Sequence, residues 1–151
     1  MPKNAPIING RKPDALYDLD NQSDLLELGL GYQAELKIAD KYAHYQNCKY
    51  AVIELKSNTL RKAVEQLDST VKRLVSVGKK VDLAIVVINR LNRYEQRSFK
   101  RRKDKILINP QTNQPYTIRV GNDAWNILLF YASEANKTSH GMDKYLSGGM
   151  A

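Results

Sequence analysis

KYAVIELKS, residues 49 to 57, decides how the rest of the chain is read. Tyr50, Val52 and Ile53 are aromatic or β-branched, so the run is predicted to be a strand. It closes on Glu54 and Lys56. Side chains on a strand alternate between faces, so Ala51, Ile53 and Leu55 share one face and Val52, Glu54 and Lys56 the other. A carboxylate and an ammonium therefore stand side by side at the strand's exposed carboxyl end. A salt bridge at a solvated rim would explain the pair, at about 0.2–1 kcal/mol. The two segments after it in the chain give the pair more weight.

Residues 59 to 78, TLRKAVEQLDSTVKRLVSVG, place Leu60, Ala63, Val64, Leu67, Val71, Leu74 and Val75 at helical spacing. Ser57, Asn58 or Thr59 can cap the start, and Gly78 is a stop in the left-handed conformation. VDLAIVVI, residues 81 to 88, is then almost unbroken apolar chain. Such a run suits a strand covered on both faces in a parallel arrangement. Strand, long helix and buried strand make a βαβ unit. Glu54 and Lys56 end its first strand, and the carboxyl ends of parallel strands are where α/β sheets bind ligands.

The chain has 151 residues, of which 42% are hydrophobic. That is the size of one domain and enough apolar content for a core. One domain is expected over residues 1 to 136, with a polar, Gly-rich tail over 137 to 151. No apolar run approaches the ~20 residues that span a bilayer, and no secretory h-region is visible, so no membrane association is expected. Cys48 is the only cysteine. A disulfide framework is ruled out within the chain, which fits a reducing, cytoplasmic setting.

The net charge is +8. A polyanion is the expected partner of so basic a chain, with DNA the first choice and RNA left open. The charge gathers in RLNRYEQRSFKRRKDK, residues 90 to 105, on Arg90, Arg93, Arg97, Lys100, Arg101, Arg102, Lys103 and Lys105. This stretch is read as a basic loop whose cations repel one another unless phosphates or counterions neutralise them. Tyr94 and Phe99 interleave with the cations and could stack on a base or pack inward.

The remaining segments are read more coarsely. ALYDLD, residues 15 to 20, alternates like a short strand. DLLELGL, residues 24 to 30, is a second strand or the lead-in to a helix. Residues 32 to 46 carry Tyr32, Leu36, Ala39 and Ala43 at helical spacing and are predicted helical. KILINPQTNQPYTIRV reads as a hairpin around NPQTNQP. Residues 123 to 135, DAWNILLFYASEA, put Trp125, Leu128, Leu129 and Ala132 on one stripe and are predicted to form a final helix.

VIELKS, with the helix and strand after it, resembles the PD-(D/E)xK nuclease superfamily. That family includes restriction enzymes, Holliday-junction resolvases and phage or repair exonucleases. The resemblance is carried by residues 49 to 88, with a weaker match near 10 to 20. It implies an α/β fold of the restriction-endonuclease type: a small mixed central sheet flanked by helices, here with a C-terminal hairpin and helix. It implies a metal-dependent DNA nuclease using magnesium, for which manganese substitutes. Glu54 and Lys56 match the E-x-K half of the signature, and Gln66 the glutamine many members carry on the next helix. The literal Pro13-Asp14 is the first choice for the remaining acid. Asp24 is the substitute, followed by Asp18, Asp20 and Glu27. Glu35 matches a glutamate the family's preceding helix can contribute, although here that helix follows Asp14. Many members work as dimers, so a homodimer is left open.

The chemistry explains the residue types. Magnesium prefers hard oxygen ligands, which Asp14, Glu54 and the Leu55 carbonyl would supply. Lys56 would orient the attacking water or hold the phosphate, and Gln66 would position either. His44 and His140 are isolated, and no Cys/His zinc spacing occurs. Two other classes compete: a non-catalytic basic nucleic-acid-binding protein with a coincidental E-x-K, and a subunit whose core is completed by a partner chain.

Overall fold

The computed structural model describes residues 13–31, 38–45, 49–57, 60–88, 93–100, 106–109 and 111–131. In chain order these form β1 (Ala15–Asp18), α1 (Gln22–Glu27), β2 (Lys41–Tyr45), β3 (Lys49–Ser57), α2 (Leu60–Ser76), β4 (Leu83–Ile88) and α3 (Arg93–Lys100). Then come β5 (Ile108–Asn109), β6 (Gln114–Pro115), β7 (Thr117–Val120) and β8 (Asp123–Tyr131). The fold is mixed α/β.

Six strands make one mixed sheet in the order β1-β2-β3-β4-β8-β7, and β5 pairs with β6 apart from it. The pairs β1–β2, β2–β3 and β7–β8 are antiparallel, whereas β3–β4 and β4–β8 are parallel. β4 lies at the centre, and all six of its residues are buried. Its alternation divides them between two cores. Ala84, Val86 and Ile88 join Val52, Ile127 and Leu129 beneath Leu60, Ala63, Leu67, Val71 and Leu74 of α2. Leu83, Ile85 and Val87 join Ala51, Ile53, Leu55 and Leu128 on the other face. An unbroken apolar run is what burial on both faces requires.

α2 covers the face that carries Val52, and it returns the chain so that β4 can run parallel to β3. It stops at Gly78, whose φ of 81° is cheap only without a Cβ. Gly78 N–H donates to the Val75 carbonyl (3.0 Å) and Lys79 N–H to the Leu74 carbonyl (2.9 Å), a Schellman closure.

Several sequence expectations need correction. Within the helix expected over 32 to 46, residues 41 to 45 are strand β2, paired on both sides; residues 32 to 37 and 46 lie outside the described ones. Tyr42 and Tyr45 are buried on β2, and sheet pairing overrides the helical spacing of the alanines. DLLELGL contributes to α1, capped by the Asn21 side chain, which accepts from Asp24 N–H (3.1 Å).

The expected final helix is strand β8 over residues 123 to 131. Its Ile127 and Leu129 enter one core and Leu128 the other, which only a strand between two neighbours allows. The turn into it holds Gly121 at φ 61° between paired Val120 and Asp123, a two-residue hairpin loop. The basic segment is also not all loop, since residues 93 to 100 form α3. The expected C-terminal hairpin is present, residues 123 to 131 are strand where the helix was expected, and residues 132 to 135 of that expected helix lie outside the described ones.

Candidate active site

β3 does not end as a regular strand. Glu54 is paired with Val86 and Ser57 with Ile88, so one extra residue is inserted in β3 between Glu54 and Ser57. Such a bulge bends the strand and interrupts strict alternation. The ladder to β2 also stops here, because its last pair is Lys41 with Ile53. One step further, the residue opposite Glu54 is Asp40. Its carboxylate replaces the missing ladder bond: Asp40 Oδ2 accepts from Leu55 N–H at 2.8 Å. The Asp40 carbonyl accepts from Leu19 N–H (3.0 Å), which ties the same residue to the turn after β1.

Asp40 is half-buried, and Glu54 is buried at 6% exposure. The expectation of an exposed strand end is therefore wrong for Glu54. Burial of a carboxylate is costly without compensating charge or donors. Lys56 holds the strand position two residues on, and its side chain lies outside the described part. Gln66 is half-buried on α2, one turn before Thr70, whose hydroxyl reaches Ala39 beside Asp40.

Asp14 is not brought to Glu54. β1 and β2 are antiparallel, so the start of β1 meets the end of β2: Ala15 pairs with His44, and Asp14 N–H donates to the His44 carbonyl (2.7 Å). The start of β2 lies beside Glu54. At ~3.3 Å per residue, Asp14 is roughly 16 Å from Asp40 along the strand. Asp18 is at the right end of the sheet, but it pairs with Lys41, and its Oδ2 lies 3.2 Å from Lys41 Nζ. Asp24 is turned to local use, accepting from Asp18 N–H at 2.8 Å. Asp20 and Glu27 are exposed around α1, and Glu35 lies outside the described residues.

Sequence reasoning missed Asp40. A usable signal was present: an acid directly before KYAHY, a short alternating aromatic run leading into the strand of Glu54. Assigning 32 to 46 to one helix concealed it.

Asp40 and Glu54 are the residues at this end of the sheet that could hold a divalent cation. Magnesium keeps several waters and takes one or two protein carboxylates. Asp40 and Glu54 are two, on adjacent strand positions. A carboxylate has about four acceptor sites, so the bond from Leu55 N–H leaves Asp40 with capacity. Among the described residues no group of three or more His, Cys, Asp and Glu gathers around a common point.

The second feature is α3. Arg93, Tyr94 and Arg97 are exposed, Tyr94 at 71%. Helix formation here follows from a segment free of Gly and Pro and rich in Arg, Glu and Gln. Glu95 adds its charge to the raised pKa of Tyr116, for which burial is the larger cause. Lys100 ends α3 with its side chain outside the described part. Arg90, Arg101, Arg102, Lys103 and Lys105 lie outside the described residues.

Comparison of the chain with family models, with curated proteins and with solved structures finds no match. No helix among the described residues is long and apolar enough to cross a membrane.

Proposed function

We propose that this protein is a metal-dependent nuclease of the PD-(D/E)xK type, with Asp40 and Glu54 as its acidic pair. One observation carries the reading. An acid directly before β2 stands opposite the glutamate of E-x-K and binds the backbone of the next residue, Leu55. Asp40 replaces Asp14 as the acid of choice. The mixed order of the sheet and the helix after E-x-K support the same reading.

In this reading Asp40, Glu54 and the Leu55 carbonyl would hold the cation. A bound divalent cation neutralises phosphate charge and lowers the pKa of water near it. Lys56 offers an ammonium to the scissile phosphate or the attacking water. Gln66, on α2, would orient the same groups. A new P–O bond forms from water, which gives up a proton, as the bond to one deoxyribose oxygen breaks, and that oxygen takes up a proton as it leaves. α3 contributes cations for the phosphate backbone, whose contacts position without specifying sequence.

The test is cleavage of linear, circular and branched DNA in magnesium, manganese and chelator. Cleavage lost in chelator and in Asp40→Asn supports the nuclease. Salt-dependent binding without cleavage in any metal would make the chain a nucleic-acid-binding protein instead.

A further inference from the structure

We propose that Thr70 is the positioning residue that sets Asp40 over the carboxyl end of β3 and thereby sets the divalent-cation affinity of the site. The inference rests on reading Asp40 and Glu54 as cation ligands.

Thr70 lies in the middle of α2 and has no exposed surface. Its Oγ1 donates to the Gln66 carbonyl (2.7 Å) and accepts from Ala39 N–H (2.7 Å). A hydroxyl has one proton to give. Back-bonding to Gln66, one turn earlier, uses that proton and leaves the oxygen lone pairs for Ala39. The first bond therefore orients the second.

Ala39 is also without exposed surface, so its N–H has no water to turn to. The next residue is Asp40. Three elements hold this two-residue segment. The turn after β1 takes the Asp40 carbonyl, β3 takes the Asp40 carboxylate, and α2 takes Ala39 through Thr70. Among the described residues, the Thr70 bond is the hydrogen bond that ties the segment to the helix that carries Gln66. Valine has the shape of threonine but no acceptor. In its place, Ala39 N–H would be orphaned, and the chain must move to find water, carrying Asp40 with it. Outer partners that orient metal ligands typically govern affinity by about 10–100-fold.

The test uses the full chain with Thr70→Val and Thr70→Ser. It reads Mg2+ affinity by calorimetry and hydrogen exchange of the Leu55 amide by NMR. Thr70→Val should weaken Mg2+ binding by about 10–100-fold and speed Leu55 exchange, and Thr70→Ser should restore both. A folded Thr70→Val with unchanged affinity and exchange overturns the proposal. So does a Thr70→Ser as impaired as Thr70→Val, because the methyl and not the hydroxyl would then matter. If Thr70→Val does not fold, the wild type decides: Mg2+ should slow exchange at Ala39 and Leu55 together, and an unaffected Ala39 overturns the coupling. If the wild type binds no Mg2+, the nuclease reading falls. Metal-free Leu55 exchange then judges Thr70 alone: faster in Thr70→Val than in Thr70→Ser keeps its positioning role, and equal rates end it.

Discussion

Asp40 and Glu54 stand opposite one another, one step beyond the Lys41–Ile53 pair, where the Asp40 carboxylate takes Leu55 N–H at 2.8 Å. A side chain here does the work of a strand. It closes the β2–β3 ladder at the place where β3 bulges and leaves its pairing register with β4. Bulges of this kind re-aim side chains beside functional sites.

Asp40→Asn keeps an oxygen for Leu55 N–H and loses the charge. We expect it to fold and to lose cleavage, or to need far more magnesium. Glu54→Gln should behave alike. Asp14→Asn should cut as the wild type does and change stability by less than about 0.5 kcal/mol, because Asp14 is exposed. Magnesium titrations of cleavage with a urea melt of each variant check this. A normal Asp40→Asn would remove the acidic pair.

Lys41, next to Asp40, is buried at 4% side-chain exposure and meets Asp18 at 3.2 Å. Removing one partner of such a pair leaves a buried charge uncompensated. Asp18→Asn should therefore destabilise by about 2–4 kcal/mol, somewhat reduced because Asp18 is itself 30% exposed. The double variant Asp18→Asn/Lys41→Met should recover most of that loss, since no charge is left buried. Denaturant melts of the two variants and the double variant give the coupling. A cycle with no coupling would show the pair to be idle.

What could be read from the sequence was set by how many signals agreed. α2 was legible because spacing, length and Gly78 all point one way, and β4 because only a strand between two parallel neighbours buries six apolar residues in a row. β2 and β8 were not. Ala39 and Ala43 fall at helical spacing, as do Trp125, Leu128 and Leu129, and a short apolar run does not reveal its period. Their strand character comes from partners distant in sequence. The Gly121-Asn122 turn was the local clue to β8. Glu54 and Lys56 can be proposed from their own strand, whereas Asp40 depends on the β2–β3 register, which no local pattern encodes. Thr70 looked like an ordinary helix residue, because its partner Ala39 lies on another element.

Alkaline pH should weaken the fold through two tyrosines. Burial pushes the Tyr45 phenol up, and burial, with help from Tyr50, Asp82 and Tyr17, pushes the Tyr42 phenol up as well. Unfolded tyrosine titrates near ~10. Above that pH the unfolded chain releases protons that the folded chain retains, so the stabilisation is complete below about pH 10 and is lost as pH rises. Tyr42→Phe should flatten that alkaline fall. At neutral pH it should cost about 1 kcal/mol for the lost hydrogen bond from its hydroxyl to the Lys80 carbonyl. Urea melts at neutral and alkaline pH compare the slopes, and equal slopes would remove Tyr42 from the account.

The exposed face of α3 should carry nucleic-acid affinity. Arg93 and Arg97 are one helical turn apart, and Tyr94 stands beside Arg93 with most of its ring in solvent. Each phosphate contact contributes about one unit to the slope of log affinity against log salt. Arg93→Gln with Arg97→Gln should therefore flatten the slope by up to about two units, to similar extents on unrelated sequences. Tyr94→Ala should leave the slope alone, since the ring carries no charge. It should weaken binding to single-stranded or branched DNA more than to intact duplex, because stacking needs an unpaired base and is worth about 1–3 kcal/mol. Fluorescence anisotropy against salt, with single-stranded, branched and duplex probes, separates the two effects. An unchanged slope in the double arginine variant would make α3 a solvated helix, and equal losses on all probes in Tyr94→Ala would deny the ring a stacking role.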